Sequence, residues 1–386
     1  MDLWIEKNRC TGCGACSNIC PKKAITMIED ETGFKYPSIN KKQCVDCGLC
    51  NKTCPILEKK KNVRFEKSKV YAGWSRDENT RYTSTSGGLF TEITKNIINH
   101  NGYVVGASYD DNNMVEHKIV NNIGGLEALK QSKYLQSDTK NIYKDTKELL
   151  DNNKIVAFCG APCQIAALYK YLKKDYNNLL TIEFICRGMN SPKAFRLWLR
   201  EIEHKLDKKV KKVWFKYKCN GWKSSPKCTR VDFEDGSHEV YDGNKNTYMC
   251  GYLGPNLYIR RSCESCEFNG EIRQADITLA DFWGIKSELD DDKGTSLILV
   301  NSENGLNYFN QIRNSIICEE RSIDEIYTGN VCFNNSVKVN KKSEEFLKRI
   351  DDTNFSIMVK KYSKVSMYIR IGKKVKRIVK NIVNFK

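Results

Sequence analysis

The segment CTGCGACSNICP at residues 10–21 is followed 34 positions later by CVDCGLCNKTCP at residues 44–55. Both segments have the pattern Cys-x2-Cys-x2-Cys-x3-Cys-Pro, and together they contain eight of the 18 cysteines of the chain. Thiolates at this spacing hold 4Fe-4S cubanes, and the fourth cysteine of each run binds the cluster of the other run. The pattern therefore predicts two clusters, one on Cys10, Cys13, Cys16 and Cys54, the other on Cys44, Cys47, Cys50 and Cys20.

Zinc is the main alternative for paired cysteines, because a structural zinc site takes four ligands in two pairs. Each segment here instead has four cysteines and a following proline, which favours iron–sulfur clusters that carry electrons. Between the segments, residues 24–28 and 34–39 flank a turn that contains Gly33, which predicts a small hairpin. Residues 1–60 are thus expected to form a small domain like bacterial ferredoxin.

The formal charge of +17 is unevenly distributed over the 386 residues. Residues 353–386 hold ten Lys and Arg residues and no Asp or Glu, which leaves +7 for residues 1–352. The body is therefore not expected to bind nucleic acid on the basis of charge. No signal peptide or apolar run of about 18 residues is visible. Because cluster-binding cysteines need a reducing compartment, we expect a cytoplasmic protein.

The rest of the chain predicts a larger domain of mixed α/β structure over residues 70–340. Strands are expected at 70–74, 103–109, 114–120, 155–158, 179–185 and 296–300, and antiparallel strands within 208–241. Helices are expected after residue 88, at 123–130, after Pro162, after Pro192 and at 305–313. The fold class is α+β or α/β, with the ferredoxin-like domain first and a basic helical tail at 341–386.

Two segments could bind an anionic cofactor. Ser86, Gly87 and Gly88 precede a helix, so their amides could hold phosphate, although an ordinary helix N-cap fits equally. The segment 132–137 combines Ser132, Lys133, Tyr134, Gln136 and Ser137, in which Lys and Ser could hold a pyrophosphate and Tyr could contact a ring system. A solvated loop is the alternative for this segment.

A third group of cysteines lies in the body. Cys163 and Cys186 follow predicted strands, where ligands of open α/β sheets bind. Cys263 and Cys266 form a CxxC pair that needs two more ligands, and together the four would make a third cubane site. Cys159 is the strongest rival to Cys163, and Cys250, Cys318 and Cys332 are interpreted as packing residues.

The C-terminal tail places apolar residues on one stripe among lysines and arginines over 365–386. It predicts an interfacial helix on anionic lipid, a docking helix for an acidic partner, or a helix packed on the body with a solvated basic face.

Taken in order, the body motifs resemble the β-subunit family of coenzyme F420 hydrogenases and dehydrogenases. The matching pieces cover roughly residues 70–300 and are Ser86-Gly87-Gly88, Ser132-Lys133-Tyr134, Gly160-Ala161-Pro162-Cys163-Gln164, Cys186-x-Gly188, Cys263-x2-Cys266, Arg273 and Asp281-Phe282-Trp283-Gly284. The family often has His where this chain has Arg187, and Gly where it has Ala280.

The resemblance implies an iron–sulfur flavoprotein with FAD beside a third 4Fe-4S cluster. Cys163, Cys186, Cys263 and Cys266 become the expected ligands of that cluster. The residues expected to contact FAD are Ser86, Gly87, Gly88, Ser132, Lys133, Tyr134, Gln136, Ser137, Gly160, Asp281 and Trp283. Many relatives are accessory proteins near surface-polysaccharide pathways. No catalytic side chain is assigned.

The chemistry of such cofactors suggests a function. Cubanes pass single electrons and reduced pyridine nucleotides or deazaflavins give hydride, so a flavin belongs between them. We expect an oxidoreductase that joins a hydride carrier at FAD to three clusters and then to ferredoxin or another redox partner protein. The alternative is an electron-transfer adaptor that docks on a partner enzyme or membrane through the basic tail. A role in nucleic-acid modification finds no motif to support it.

Overall fold

The computed structural model describes residues 5–58 and 65–363. The charged segment 59–69 is predicted to be a linker, and its residues 59–64 lie outside the described residues, as does the predicted tail helix at 365–386. None of the described helices has the length and apolar composition needed to span a bilayer.

The first 58 residues contain two short helices and the predicted hairpin. The elements are α1 (Ala15–Ile19), β1 (Ile25–Glu29), β2 (Lys35–Ile39) and α2 (Leu49–Thr53). Strands β1 and β2 pair antiparallel, with Ile25 opposite Ile39. The helices α1 and α2 pack on one another, so the two cysteine segments that contain them are neighbours.

The body is built on an eight-stranded mixed sheet. Its strands are β3 (Lys69–Ser75), β4 (Tyr103–Tyr109), β5 (Val115–Val120), β6 (Val156–Gly160), β7 (Leu179–Phe184), β11 (Ile277–Asp281), β12 (Ser296–Val300) and β13 (Ile316–Arg321), in the spatial order β13-β3-β12-β11-β7-β6-β4-β5. The central strands β4, β6, β7 and β11 are parallel, and the outer pairs are antiparallel. Strands β8 (Val210–Phe215), β9 (Thr229–Phe233) and β10 (His238–Tyr241) form a separate antiparallel sheet.

Nine helices complete the body within the described residues, in addition to short 3-10 turns. They are α3 (Glu78–Thr83), α4 (Leu89–Asn99), α5 (Ile123–Leu129), α6 (Ile142–Asp151), α7 (Pro162–Leu172), α8 (Pro192–Leu206), α9 (Thr247–Tyr252), α10 (Glu303–Gln311) and α11 (Asp324–Gly329). Two more, α12 (Ser343–Lys348) and α13 (Phe355–Tyr362), follow residue 341.

Apolar side chains alternate between the two faces of the large sheet. Val104 and Ala157 pack with α4 and α10 on one face, whereas Val105 and Phe158 pack with α6 and α7 on the other. This alternation is the two-residue period of a strand, and it explains why both faces of the sheet are covered by helices. The fold is therefore the mixed α/β body with a ferredoxin-like N-terminal region that the sequence predicts.

Helices α12 and α13 belong to the core that also contains α8, α9 and the three-stranded sheet. Phe346 and Phe355 are buried there against Tyr258. Residues 343–362 thus pack on the body.

Candidate redox centre

Two small cavities in the N-terminal region are each lined by four cysteines. Cys10, Cys13, Cys16 and Cys54 line the first, and Cys20, Cys44, Cys47 and Cys50 line the second. These are the groupings that the spacing predicts, with the fourth cysteine of each segment exchanged. We call them the first and second cavities.

Glycines shape the loops around these cavities. Gly14 and Gly48 have φ values of 76° and 70° and immediately precede α1 and α2. A Cβ atom on Gly14 would lie 2.3 Å from the Thr139 Oγ1 atom of the body. Glycine is therefore required there both by the left-handed backbone and by the close approach of the body.

The loop around the first cavity is held by the body. The Arg260 Nε atom donates to the Cys10 carbonyl at 2.8 Å, and the Tyr143 hydroxyl donates to the Cys13 carbonyl at 2.9 Å. The Gln136 side-chain amide donates to the carbonyls of Thr11 and Gly12. These bonds satisfy the loop carbonyls with body side chains, so the first cavity lies inside the protein.

The third group of cysteines lines a larger cavity of about 290 Å³. Its wall contains all four predicted ligands, namely Cys163, Cys186, Cys263 and Cys266. The parallel strands β6 and β7 end just before Cys163 and Cys186, and a 3-10 turn at Arg261–Ser265 carries Cys263. Thr11 and Ile56 line both this large cavity and the first cavity, which are therefore adjacent.

A fifth cysteine in this wall was not predicted. Cys332 lies in a 3-10 turn after α11 and lines the large cavity with the other four. It has no ligand spacing in the sequence, and only the fold brings it there. The rival ligand Cys159 is not among the lining residues of this cavity.

The cysteine surroundings fit thiolate ligands. Backbone amides donate to sulfur from Ala24 to Cys20, from Gly188 to Cys186 and from Met189 to Cys263, at 3.3 to 3.4 Å. Such N–H···S bonds stabilise cluster-bound thiolates and tune their potential. Burial raises the pKa of the Cys263 thiol to about 11, and a bound cation would favour its thiolate form. Within the described residues, no group of three or more His, Cys, Asp or Glu residues is arranged to hold a single metal ion.

Three arginines line the large cavity, of which Arg187 and Arg273 belong to the body and Arg9 to the N-terminal region. Arg273 forms a buried ion pair with Glu183 at 2.6 Å, and its Nη2 atom has no hydrogen-bond partner among the described residues. Arg187 donates to Asn256 at 2.9 Å and lies 5.0 Å from the centre of the Tyr252 ring. Both cations therefore lie near the negative charge that four thiolates would bring.

Most of the residues predicted to contact FAD meet around the end of β8. The Ser132 amide donates to Thr85 Oγ1, which joins the 132–137 segment to the Ser86-Gly87-Gly88 turn. Lys218 donates to the Ser86 carbonyl at 2.7 Å, and Lys216 pairs with Asp281.

Aromatic rings complete this region. The Tyr134 ring packs edge-on against Phe215 with centroids 5.3 Å apart. Trp283 stacks on Trp222 with centroids 4.3 Å apart and an interplanar angle of 6°. The sequence singled out Tyr134 and Trp283, but it contained no signal for Phe215 or Trp222.

The Ser86-Gly87-Gly88 turn also has a structural role. Gly87 donates its amide to the Ser296 hydroxyl, and a Cβ atom there would lie 2.5 Å from the Gly73 carbonyl. Gly88, with φ of 91°, is the N-cap of α4. The close contact with the sheet thus requires glycine independently of any ligand.

The other three predicted FAD residues lie nearer the first cavity. Gln136 accepts from Arg260 as well as donating to the cysteine loop. Ser137 accepts from Gln164, whose side chain also packs against Gly160. Among the described residues, none of the predicted FAD contacts lines the large cavity.

Lys218, which is buried, and Lys133, which is half-buried, make the region around β8 suitable for an anion. Lys133 donates to the carbonyls of Leu129, Lys130 and Gln131, and Lys218 donates to those of Arg81, Ser86 and Lys293. Burial lowers the pKa of both lysines to about 7. Neutral carbonyls satisfy the hydrogen bonds of these two ammonium groups but do not balance their charge, which an anionic group such as a pyrophosphate would do.

Comparison with known proteins agrees with the motifs. No curated protein matches the chain. Residues 153–326 match the family described as the C terminus of the coenzyme F420 hydrogenase/dehydrogenase beta subunit, and residues 9–56 match the 4Fe-4S dicluster domain. A chain from a xenon-derivatised structure of the F420-reducing NiFe hydrogenase complex of Methanosarcina barkeri is similar, with 15% identity and a TM-score of 0.46 over 76% of this chain and 92% of that chain. The chain thus combines an N-terminal segment that matches the 4Fe-4S dicluster domain with a later segment, residues 153–326, that matches the C-terminal domain of the coenzyme F420 hydrogenase/dehydrogenase beta subunit.

Proposed function

We propose that the protein is a flavin-linked oxidoreductase that exchanges two electrons with a hydride carrier and single electrons with a redox partner. The observation that carries this proposal is the presence of three cysteine-lined cavities together with a region of lysines and aromatic rings around β8. The proposed ligands are those predicted from the sequence, four cysteines for each of three 4Fe-4S clusters. Bound FAD would supply the exchange between hydride and single-electron chemistry.

The chain's own residues would hold and tune these groups. Lys133 and Lys218 would bind the pyrophosphate, and Tyr134 would lie against a ring of the cofactor. Arg187 and Arg273 would place positive charge beside the third cluster and so favour its reduced form. The first cavity, which shares Thr11 and Ile56 with the large one, would be next in the path of electrons.

Anaerobic reconstitution with iron, sulfide and FAD tests the proposal. We expect about twelve irons and one FAD per chain. The loaded protein is then mixed with NADH, NADPH, reduced deazaflavin or reduced ferredoxin, and bleaching of the flavin absorbance by one hydride donor identifies the carrier class. A protein that holds about eight irons and takes up no flavin contradicts the proposal.

The adaptor function and the accessory role in surface-polysaccharide synthesis stay predictions. The adaptor function depends on the tail, most of which lies outside the described residues. Deletion of residues 364–386 should abolish binding to the partner or to anionic liposomes and leave the iron content unchanged. Unchanged binding excludes this function for the tail.

A further inference from the structure

The three cavities form a series that ends at the protein surface. The large cavity adjoins the first through Thr11 and Ile56, and α1 links Cys16 of the first cavity to Cys20 of the second. The first and second cavities differ in exposure, because Cys13 is 9% exposed whereas Cys47 is exposed and Val45 is 56% exposed. The second cavity is therefore the one that a partner protein can approach.

Exposed lysines surround this second cavity. Lys22 lies in its wall, and Lys23, Lys42 and Lys52 each lie within three residues of one of its cysteines. All four lysine side chains are exposed. We call these four lysines the basic rim, and Val45 and Asp46 lie in the same cavity wall as Lys22.

The three acidic residues of the hairpin lie at its turn, at the end away from the second cavity. Glu29 pairs with Arg196, Asp30 with Lys7 and Glu31 with Lys348. The hairpin thus has acidic residues at its turn and lysines next to the other end of its two strands. Its acidic end is fixed to the rest of the protein and its basic end is directed outward beside the second cavity.

We infer that the basic rim is the docking surface for an acidic ferredoxin. This inference rests on the proposed function, in that the second cavity must hold a cluster. One electron leaves the reduced second cluster and enters the oxidised cluster of the partner, with no proton or bond transferred, and the reverse direction uses the same contact. Opposite charges steer such partners together, and the contact areas are small, so the affinity depends on salt.

The test compares two triple variants with the same change in charge. K22E/K23E/K42E reverses the rim, and K154E/K211E/K245E reverses three exposed lysines on the body. Binding of oxidised acidic two-cluster ferredoxin to the full reconstituted chain is measured by anaerobic calorimetry at 50 and 500 mM NaCl. We expect the rim variant to raise Kd at least tenfold at low salt, the body variant to change it less than twofold, and high salt to weaken the wild-type complex.

Stopped-flow mixing gives an independent readout. Protein reduced with dithionite and desalted is mixed with the oxidised ferredoxin, which requires neither flavin nor a hydride donor. A slower second-order rate in the rim variant, together with unchanged reduction of methyl viologen, supports docking at the rim. Failure of the hydride donors in the earlier experiment would refute the proposed function without affecting this measurement.

Several results would overturn the inference. Equal ferredoxin affinity in the two triple variants would do so. So would ferredoxin binding that is lost when residues 364–386 are removed but retained in the rim variant. If the rim variant lost binding to phosphatidylserine vesicles but kept its binding to ferredoxin, the rim would be a membrane contact instead. K22Q/K23Q/K42Q serves as the second variant, and loss of iron from both rim variants would show that these lysines serve the cluster fold instead.

Discussion

At the scale of single residues, the five cysteines of the large cavity differ in whether the sequence identifies them as ligands. Four of them have motif positions, whereas Cys332 arrives from a turn far along the chain. Sequence spacing could predict the CxxC pair because the two ligands are local. It could not predict Cys332, because that thiol reaches the cavity only through the packing of α11 and the turn after it.

The first prediction concerns Cys263. The C263S variant should bind about eight irons instead of about twelve, because the third cluster loses a ligand. The C250S variant is the control, since Cys250 is also half-buried but donates to the Gly243 carbonyl away from the cavity. Iron and sulfide analysis after anaerobic reconstitution measures the effect. Twelve irons in the C263S variant would contradict the assigned ligand set.

The second prediction concerns the buried pair of Arg273 and Glu183, whose side chains are 2% and 0% exposed. The R273Q variant should lose about 3 kcal/mol or more of stability, because it leaves the Glu183 carboxylate buried without its cation. The double variant E183Q/R273Q should recover part of this loss. Thermal unfolding followed by circular dichroism measures both. An R273Q variant as stable as wild type would show that Glu183 does not need its partner.

At the scale of secondary-structure elements, the hairpin β1–β2 contacts the body at its turn. Gly33 has φ of 81°, and a Cβ atom there would lie 2.2 Å from the Lys193 Cβ atom. The Ser191 hydroxyl donates to the Thr32 carbonyl at 2.7 Å, which fixes the same turn to the start of α8. Position 33 thus favours glycine for two reasons: the backbone has a positive φ, and the Lys193 side chain approaches closely.

A pair of glycine variants separates these two reasons. Gly236 has a similar φ of 84°, but nothing lies within 4 Å of its Cβ position. G236A should therefore lose only about 1–2 kcal/mol from backbone strain, whereas G33A should lose more, because the hairpin must also move off α8. Melting temperatures of the two reconstituted variants measure the difference. Equal melting temperatures would mean that the hairpin contact contributes nothing.

The strands with regular apolar patterns were the predictable elements. β6 and β7 are apolar runs that end at motif residues, and both are confirmed within about two residues. Helix α3 was not predicted, since its buried residues are Thr80 and Arg81, which form no apolar stripe. Strand β13 was not predicted because it is an edge strand that ends in three consecutive charged residues, and it pairs only with β3.

At the scale of the whole molecule, the region around β8 is assembled from distant parts of the chain. Residues from three segments, 83–88, 132–137 and 281–283, meet at Phe215–Lys218. Lys216 and Lys218 could not be selected from the sequence, because their role depends on meeting Asp281 and Ser86 in space. The order of the motifs predicted the segments 83–88, 132–137 and 281–283, but it did not predict the segment Phe215–Lys218 that contacts all three.

The pH dependence of FAD binding follows from this assembly. Lys133 and Lys218, with pKa values lowered to about 7, carry charge at pH 6 and have largely lost it at pH 9. The charged and titratable groups that act on them are Lys212 and Cys159 for Lys133, and Asp281, Lys216, Arg81 and Asp291 for Lys218. We expect the Kd for FAD to rise about tenfold or more between pH 6 and pH 9, because the pyrophosphate loses its cations.

The stability of the flavin-free protein should change in the opposite direction. Between pH 7 and the ordinary lysine pKa of 10.5, the unfolded chain binds more protons at these two lysines than the folded chain, so their contribution to stability rises with pH.

Flavin fluorescence titrations of wild type, K218Q and the control K245Q measure the affinity for FAD. A Kd that is the same at pH 6 and pH 9 would exclude the lysines as pyrophosphate ligands.

The exchange of Cys20 and Cys54 between the two small cavities has a consequence for biosynthesis. Each cavity takes three thiols from one segment and one from the other, so the second has all its cysteines only once Cys50 has been synthesised, and the first only once Cys54 has. The large cavity closes later still, since its wall includes Val337. Under the proposed function, the third cluster is therefore inserted only after nearly the whole polypeptide has been translated, and its cysteines must stay reduced until then.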